Sequence, residues 1–270
     1  MKPEPIAFID SGIGGLPYLA STRRLLPRER YVYIADRENF PYGGRPVGEI
    51  VSAISAATER LIAREGPRLI VIACNTASVV ALPELRARFP LPFVGVVPAV
   101  KPAAALSRSR RVGVLATQST VEGEYLRNLI AAHGEGCTVV GLPAAELVDF
   151  VEREMASATP LDRAERVRRE VERFRGERID VLVLGCTHFL HLEEEFRGIL
   201  DAEGIALVDS REGVARQVER LLPSSAGRRS SPPQGSEKQR DSLYVTGSAA
   251  VEDRYRYFAS RFGLRLEGAL

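Results

Sequence analysis

Nine short runs of β-branched and apolar residues recur along this 270-residue chain, and most are apolar at every position rather than at alternate ones. They lie at 6–9, 31–35, 69–73, 93–96, 112–116, 138–141, 181–185, 206–208 and 243–245. A strand that is apolar on both sides must be covered on both sides, which is the condition of a parallel sheet packed between two layers of helices. Helical patterns stand between the runs, at 47–64, 78–88, 120–133, 161–175, 213–222 and 251–262. Strand then helix, repeated, predicts an α/β fold. In such folds the sites gather outside the carboxyl ends of the strands.

Composition narrows the functional classes. The chain is long enough for one large domain or two small ones, with a core that needs no disulfide or structural metal. Lys plus Arg is 37 and Asp plus Glu is 35, a balance that gives no general electrostatic case for nucleic acid. Seven arginines crowd residues 163–178, but Glu165, Glu170, Glu172 and Glu177 are interleaved, as on a solvated helix face. Three cysteines are too few, and odd in number, for a disulfide framework, and fit a reducing compartment. The first apolar run is far too short for a signal-peptide core, and no stretch approaches 18 uncharged apolar residues. A cytoplasmic protein that neither spans nor binds a membrane is expected. Three histidines and no Cys-x-x-Cys pair leave little for zinc, so no metal site is expected. Only Lys2, Lys101 and Lys238 are lysines, which argues against Schiff-base chemistry and pyridoxal phosphate; no cofactor is expected. Residues 223–242 offer one alanine and little else to bury, and are expected to be a disordered loop.

Two segments echo each other: Leu69-Ile-Val-Ile-Ala-Cys-Asn-Thr and Val181-Leu-Val-Leu-Gly-Cys-Thr-His. Their cysteines, Cys74 and Cys186, stand 112 positions apart. A weaker pair, Ile6-Ala-Phe-Ile-Asp-Ser and Val112-Gly-Val-Leu-Ala-Thr, sets Ser11 and Thr117 106 apart. The similar spacings imply two α/β halves of related design, each with a hydroxyl at one strand end and a thiol at another. The first lobe is read as 1–97 with 210–270, the second as 98–209. The predicted fold is therefore two pseudo-twofold-related, doubly wound parallel-sheet lobes with the active site in the cleft between them. Thiols opposed across a small ligand are what inversion by proton transfer requires, one removing a proton and the other returning one from the opposite side. A free cysteine is ordinarily a small core hydrophobe, and that suffices for Cys137. It does not explain why Cys74 and Cys186 each end an apolar strand and precede Asn-Thr or Thr-His. Ser11, Asn75, Thr76, Thr117 and Thr187 are uncharged donors at strand ends, able to compensate buried carboxylates. Gly12, Gly14 and Gly15 fail the dinucleotide spacing and are followed by Pro17, so a tight turn or a bound carboxylate explains them better than a phosphate.

Taken in order, the motifs resemble the glutamate racemase family, of the aspartate/glutamate racemase superfamily. The likeness is carried by Phe8-Ile-Asp-Ser-Gly-Ile-Gly-Gly-Leu16, Ala35-Asp36 with Pro41-Tyr42-Gly43, Ala73-Cys-Asn-Thr-Ala-Ser78 and Leu184-Gly-Cys-Thr-His188. Val208-Asp-Ser210 and Val245-Thr-Gly247 are weaker echoes, and the set covers nearly the whole chain. Phe189-Leu-His-Leu stands where the family commonly has Tyr-Pro-Leu-Leu, and Ala116-Thr-Gln-Ser-Thr120 where Gly-Thr-x-x-Thr is common; neither cysteine motif is broken. The resemblance implies a cofactor-independent isomerase that interconverts L- and D-glutamate by two-base proton transfer, supplying D-glutamate for peptidoglycan. It implies Cys74 and Cys186 as the two acid/base groups, Asp10 beside the first, and His188 and Glu152 beside the second. Tyr42 and Gly43 fit its substrate-contacting pair, joining Asp10, Ser11, Asn75, Thr76, Thr117, Thr187 and His188 around the substrate. Asp10 also fits a turn-forming residue before Ser-Gly, and Glu152 a solvated helix position. His133 and His191 read as surface or core residues. Rival readings are an aspartate racemase, a thiol redox protein using Cys74 and Cys186, and a non-catalytic amino-acid-binding module. The expected partner is a small-molecule substrate, glutamate, and the expected assembly a homodimer.

Overall fold

Residues 4–134, 136–222 and 241–270 are described by the computed structural model of the protein. Their strands, in chain order, are β1 (Ile6–Asp10), β2 (Tyr31–Ala35), β3 (Leu69–Ile72), β4 (Phe93–Gly95), β5 (Arg111–Ala116), β6 (Thr138–Pro143), β7 (Val181–Leu184), β8 (Ala206–Val208), β9 (Ser242–Val245) and β10 (Arg265–Ala269). The chain divides into two compact units, Met1–Val96 with Arg211–Leu270, and Val97–Ser210. The first holds a six-stranded sheet of order β10-β9-β2-β1-β3-β4, the second a four-stranded sheet of order β6-β5-β7-β8. Neighbouring strands in both are parallel. The order β2-β1-β3-β4 in one unit and β6-β5-β7-β8 in the other is the same order for strands taken in the same sequence. The echo in the amino-acid sequence is thus an echo in topology.

Continuous apolar runs produce these sheets because each face is roofed. In the first unit Ala7, Ile9, Val32, Ile34, Ile70 and Ile72 pack against Ile50, Ile54 and Leu61 of helix Val47–Glu65 and against Ala77, Ala81 and Leu85 of helix Asn75–Arg88. The alternate residues Ile6, Phe8, Tyr31, Tyr33, Leu69 and Val71 are equally buried on the other face. There the Tyr31 hydroxyl donates to Leu26 O at the end of helix Leu16–Leu25, which packs on helix Arg211–Leu221. In the second unit Val112, Val114, Ala116, Val181 and Val183 form one core with Ala99, Val100, Ala103 and Leu126. On its far face Gly113 leaves no room, since a Cβ there would come within 3 Å of Ile179 and Phe174. Each large apolar side chain buried this way contributes about 1.5–3 kcal/mol.

The structure departs from the sequence pattern at definite places. The helix expected at 78–88 begins at Asn75, directly after Cys74, and carries Pro83 inside it. The helix expected at 120–133 is two, Gln118–Glu122 and Glu124–His133, parted by Gly123 in an extended conformation. Strand β10 has a charged, half-exposed sequence and no apolar run; it forms because β9 offers an unpaired edge. Of the loop expected at 223–242, residues 223–240 lie outside the described residues. Its last two residues correct the expectation: Ser242 opens β9, and Asp241 accepts hydrogen bonds from Tyr31 N at 2.9 Å and from Arg23 at 3.1 Å. The arginine-rich stretch is a solvated, ion-paired helix, Pro160–Glu172, started by a Thr159–Asp162 capping box. Arg163 reaches Glu195 at 2.7 Å, and Arg169 pairs with Glu165. Among the described residues no helix is long and apolar enough to cross a membrane.

The amino end of the second sheet is clamped by Asp180. Burial alone would raise its carboxyl pKa, but the Ser107 hydroxyl at 2.6 Å and the Arg108 and Ser109 N–H groups at 2.7 Å outweigh that and hold it down to about 2. A depressed native pKa gives stability that is full above the ordinary carboxyl value and lost as pH falls through the native one. Asp180→Ala should therefore lower unfolding stability by about 1–3 kcal/mol at neutral pH. The gap to the unmodified protein should close between about pH 4 and pH 2, as followed by denaturant titration at each pH.

Candidate active site at the strand ends

In the first unit the polar residues collect where β1, β2 and β3 stop. Asp36 N donates to Asp10 O, and Ala73 N to Ile9 O, both at 2.7 Å, so the exits of three strands are stitched side by side. Asp10 is fully buried, and its Oδ1 accepts the Ser11 N–H at 2.7 Å, the contact of a turn-forming aspartate. Cys74 follows β3 with φ −133° and ψ 126° and leads into helix Asn75–Arg88, whose first residues Asn75 and Thr76 are buried. Its sulfur lies in the same core cluster as Tyr42. Tyr42 and Gly43 sit in the short 3-10 turn Tyr42–Gly44, Tyr42 buried and Gly43 partly exposed. Burial and the neighbouring Asp36, whose Oδ2 accepts the Tyr42 hydroxyl at 2.5 Å, push the phenol pKa well above its ordinary value, and the charges of Cys74 and Asp10 act in the same direction.

The glycine run is a turn. The Tyr33 hydroxyl donates to Gly12 O at 2.8 Å and accepts from Gly15 N at 3.0 Å. A Cβ on Gly15 would stand 2.6 Å from the Ala73 Cβ, so only glycine lets helix Leu16–Leu25 start this close to the residue before Cys74.

In the second unit the same stitching recurs. Ala144 N donates to Ala116 O at 2.9 Å and Gly185 N to Leu115 O at 2.7 Å. Thr117 follows β5 as Ser11 follows β1, and caps helix Gln118–Glu122 by accepting from Thr120 N. Cys186 follows β7 with φ −132° and ψ 137°, close to the angles of Cys74, and leads into the 3-10 segment Thr187–Leu192. Thr187 and His188 are buried there. His188 Nε2 meets Glu152 Oε2 at 3.0 Å, with both side chains almost fully enclosed. The solvated alternative for Glu152 therefore fails. Helix Ala145–Asp149 widens into a π-helical turn, Phe150–Glu154, in which Met155 N reaches back to Phe150 O, and Glu152 is buried within that turn. Such turns are frequent at functional sites.

The predicted residues thus fall into two groups, Asp10, Ser11, Tyr42, Gly43, Cys74, Asn75 and Thr76 in one unit, and Thr117, Glu152, Cys186, Thr187 and His188 in the other. The two thiols occupy equivalent strand ends but differ in company. Asp10 stands at the position of Ala116, and the Glu152–His188 pair belongs to Cys186's unit alone. Cys137 is half-buried, His133 is exposed and His191 is buried. Among the described residues no three His, Cys, Asp or Glu side chains are grouped to hold a metal ion. Two buried polar residues not among the sequence candidates, Asp36 and Thr246, are linked to Tyr42 here, and both lie in segments that carry the resemblance, at 35–36 and 245–247. Their signal was a polar residue directly after an apolar strand.

Comparison with known proteins gives a consistent result. The model of the Asp/Glu/hydantoin racemase family matches residues 19–218. A glutamate racemase of Treponema pallidum (strain Nichols) is 40% identical over 266 residues, 98% of this chain and 96% of that one. One from Shewanella sp. (strain MR-4) is 44% identical over 219 residues, 81% of this chain and 79% of that one. The crystal structure of Escherichia coli glutamate racemase with L-glutamate and the activator UDP-MurNAc-Ala superimposes with a TM-score of 0.87 at 34% identity, covering 99% of this chain and 98% of that one.

The Asn75 amide supplies a test of whether these polar groups serve the fold. Both its nitrogen and its oxygen are buried without a hydrogen-bond partner, an arrangement that costs about 1–3 kcal/mol when nothing fills the valence. Asn75→Leu, similar in shape, should leave ligand-free unfolding stability unchanged or raise it. A fall of more than about 1 kcal/mol would show that the amide belongs to the fold.

Proposed function

The chain belongs to the Asp/Glu/hydantoin racemase family and is an amino-acid racemase; from that premise we propose that it interconverts L- and D-glutamate without a cofactor, using Cys74 and Cys186 as the two acid/base groups. One observation carries the reading. The two cysteines stand at equivalent strand ends, with nearly equal backbone angles, and each is followed by buried polar residues. Relatives that match the chain over most of its length carry glutamate racemase as their name, which supports the choice of substrate.

The α-proton of an amino acid is weakly acidic, so the protein must supply position and electrostatics in place of an electron sink. In the proposed reaction the thiolate of one cysteine takes the Cα proton from one side and becomes a thiol. The thiol of the other gives its proton to the opposite side of the carbanion and becomes a thiolate, so the net charge of the pair is unchanged. Turnover in the reverse direction exchanges the roles. A free thiol has a pKa of about 8.5, so each cysteine needs a group that eases its ionisation or reprotonation. Asp10 is assigned to Cys74, and His188, braced by Glu152 at 3.0 Å, to Cys186. Ser11, Asn75, Thr76, Thr117 and Thr187, with the backbone at Tyr42 and Gly43, are assigned to the substrate's carboxylates and ammonium. The open valences of the Asn75 amide favour that role.

The physiological role that follows is supply of D-glutamate for peptidoglycan. We assign the protein to the cytoplasm, consistent with three cysteines that form no disulfide, and to a homodimer, the common assembly of soluble oligomers.

Incubation with each glutamate enantiomer in D2O, with no added cofactor, should give product carrying α-deuterium from either side. Cys74→Ala and Cys186→Ala should each abolish racemisation, and near-normal turnover in either variant would refute the two-thiol mechanism. Faster turnover of aspartate than of glutamate would shift the substrate assignment. A disulfide forming readily between the two cysteines, without racemisation, would favour redox chemistry, and binding of glutamate without exchange would favour a binding module.

A further inference from the structure

We propose that Asp36 is a positioning residue of this site, holding the Tyr42–Gly43 turn in place through a hydrogen-bonded link to Thr246. The proposal rests on the reading of Tyr42 and Gly43 as substrate contacts.

Asp36 is fully buried one residue beyond β2, with its backbone N–H on Asp10 O. Its carboxylate accepts four hydrogen bonds. The Tyr42 hydroxyl donates to Oδ2 at 2.5 Å, the Thr246 hydroxyl to Oδ1 at 2.6 Å, and Asn39 Nδ2 lies 3.1 and 3.0 Å from the two oxygens. All these donors are uncharged. The adjacent guanidinium of Arg37 is directed away from it, onto the carbonyls of Thr246, Gly247, Ala249 and Ala250 and onto Glu252. Arg37 thereby closes the turn after β9 that carries Thr246, and the Thr246 oxygen in turn accepts the Glu38 N–H at 3.1 Å. Three segments meet on one carboxylate: the exit of β2, the turn at 39–44 and the exit of β9.

A buried carboxylate is an expensive way to join loops that apolar side chains could join. What it adds is a fixed geometry. Each oxygen takes one hydroxyl donor and shares the Asn39 amide, so Tyr42 cannot swing without breaking a short bond and leaving the carboxylate under-satisfied. The Tyr42 proton is committed to Asp36, so the phenol oxygen turns only acceptor capacity toward its other neighbours. Burial and Asp36 also raise the phenol pKa further above its ordinary value, so Tyr42 stays a neutral hydrogen-bond donor to the carboxylate. The motifs at 35–36 and 245–247, which no catalytic role accounts for, are thus two ends of one brace.

The test is a double-mutant cycle on the full-length protein, with KM and kcat for glutamate and its Kd by calorimetry. Asp36→Asn should raise KM and Kd about tenfold or more, the worth of a hydrogen bond to a charged group, while kcat falls less. In a Tyr42→Phe background the same substitution should add less than about twofold, because Asp36 acts through the phenol. Thr246→Val should reproduce the KM effect more mildly, and Thr246→Ser, which keeps the hydroxyl, should recover most of it. Thr246→Val also serves if Asp36→Asn does not fold. Unchanged KM and Kd in folded variants with a lower unfolding midpoint would make Asp36 purely structural and overturn the proposal. Additive effects of Asp36→Asn and Tyr42→Phe would overturn it as well. A wild-type protein that binds glutamate but does not racemise it would overturn the racemase reading alone, since Kd then carries the same comparison. One that does neither would overturn both.

Discussion

Burial of both faces of each parallel sheet is the constraint on which the rest depends. A strand such as β1, with Ile6, Ala7, Phe8 and Ile9 all fully buried, has no solvent side on which to display a reactive group. Polar chemistry is forced to the points where the ladders run out. There the next residues carry N–H and C=O groups released from the sheet, and helices begin whose first donors are unspent. Asp10, Asp36, Cys74, Thr117 and Cys186 all occupy such points. The interactions that stitch strand exits, such as Ala73 N to Ile9 O and Gly185 N to Leu115 O, fix their spacing with backbone atoms alone.

On that shared frame the two units have diverged in electrostatics. In the first, the buried Asp10 ends β1 and a second aspartate, Asp36, stands just past the neighbouring strand β2. In the second, alanine ends the equivalent strand, and the carboxyl group comes instead from the π-helical turn that delivers Glu152 to His188. A racemase has reason for such inequality. In the two-thiol reaction proposed above, the two cysteines would work in opposite protonation states, and identical surroundings would give no control over which state each prefers. The equivalence of the cysteines is one of backbone, and their difference is one of neighbours.

Much of this was legible from the chain, and the losses have physical causes. The apolar runs marked β1 to β9 because they carry their own burial signal. β10 was invisible because an edge strand can be polar and borrow its order from its neighbour. The start of the helix at Asn75 was hidden by Asn-Thr, which reads as loop until the strand end fixes it as a helix start. Ser242 read as part of a polar stretch, and only pairing with β2 and β10 makes it strand.

The sequence by itself determined the fold class, the doubled design and the pair of cysteines, since hydrophobic period and motif spacing are properties of the chain order. It could name Asp10, His188 and Glu152 only by resemblance, and left Glu152 open between a buried and a solvated position. Tertiary structure decided those matters. The contact of Glu152 with His188 spans 36 residues, and that of Asp36 with Thr246 spans 210. A hydrogen bond needs atoms within about 3 Å at a set angle, and no local pattern encodes which distant polar residue will arrive there.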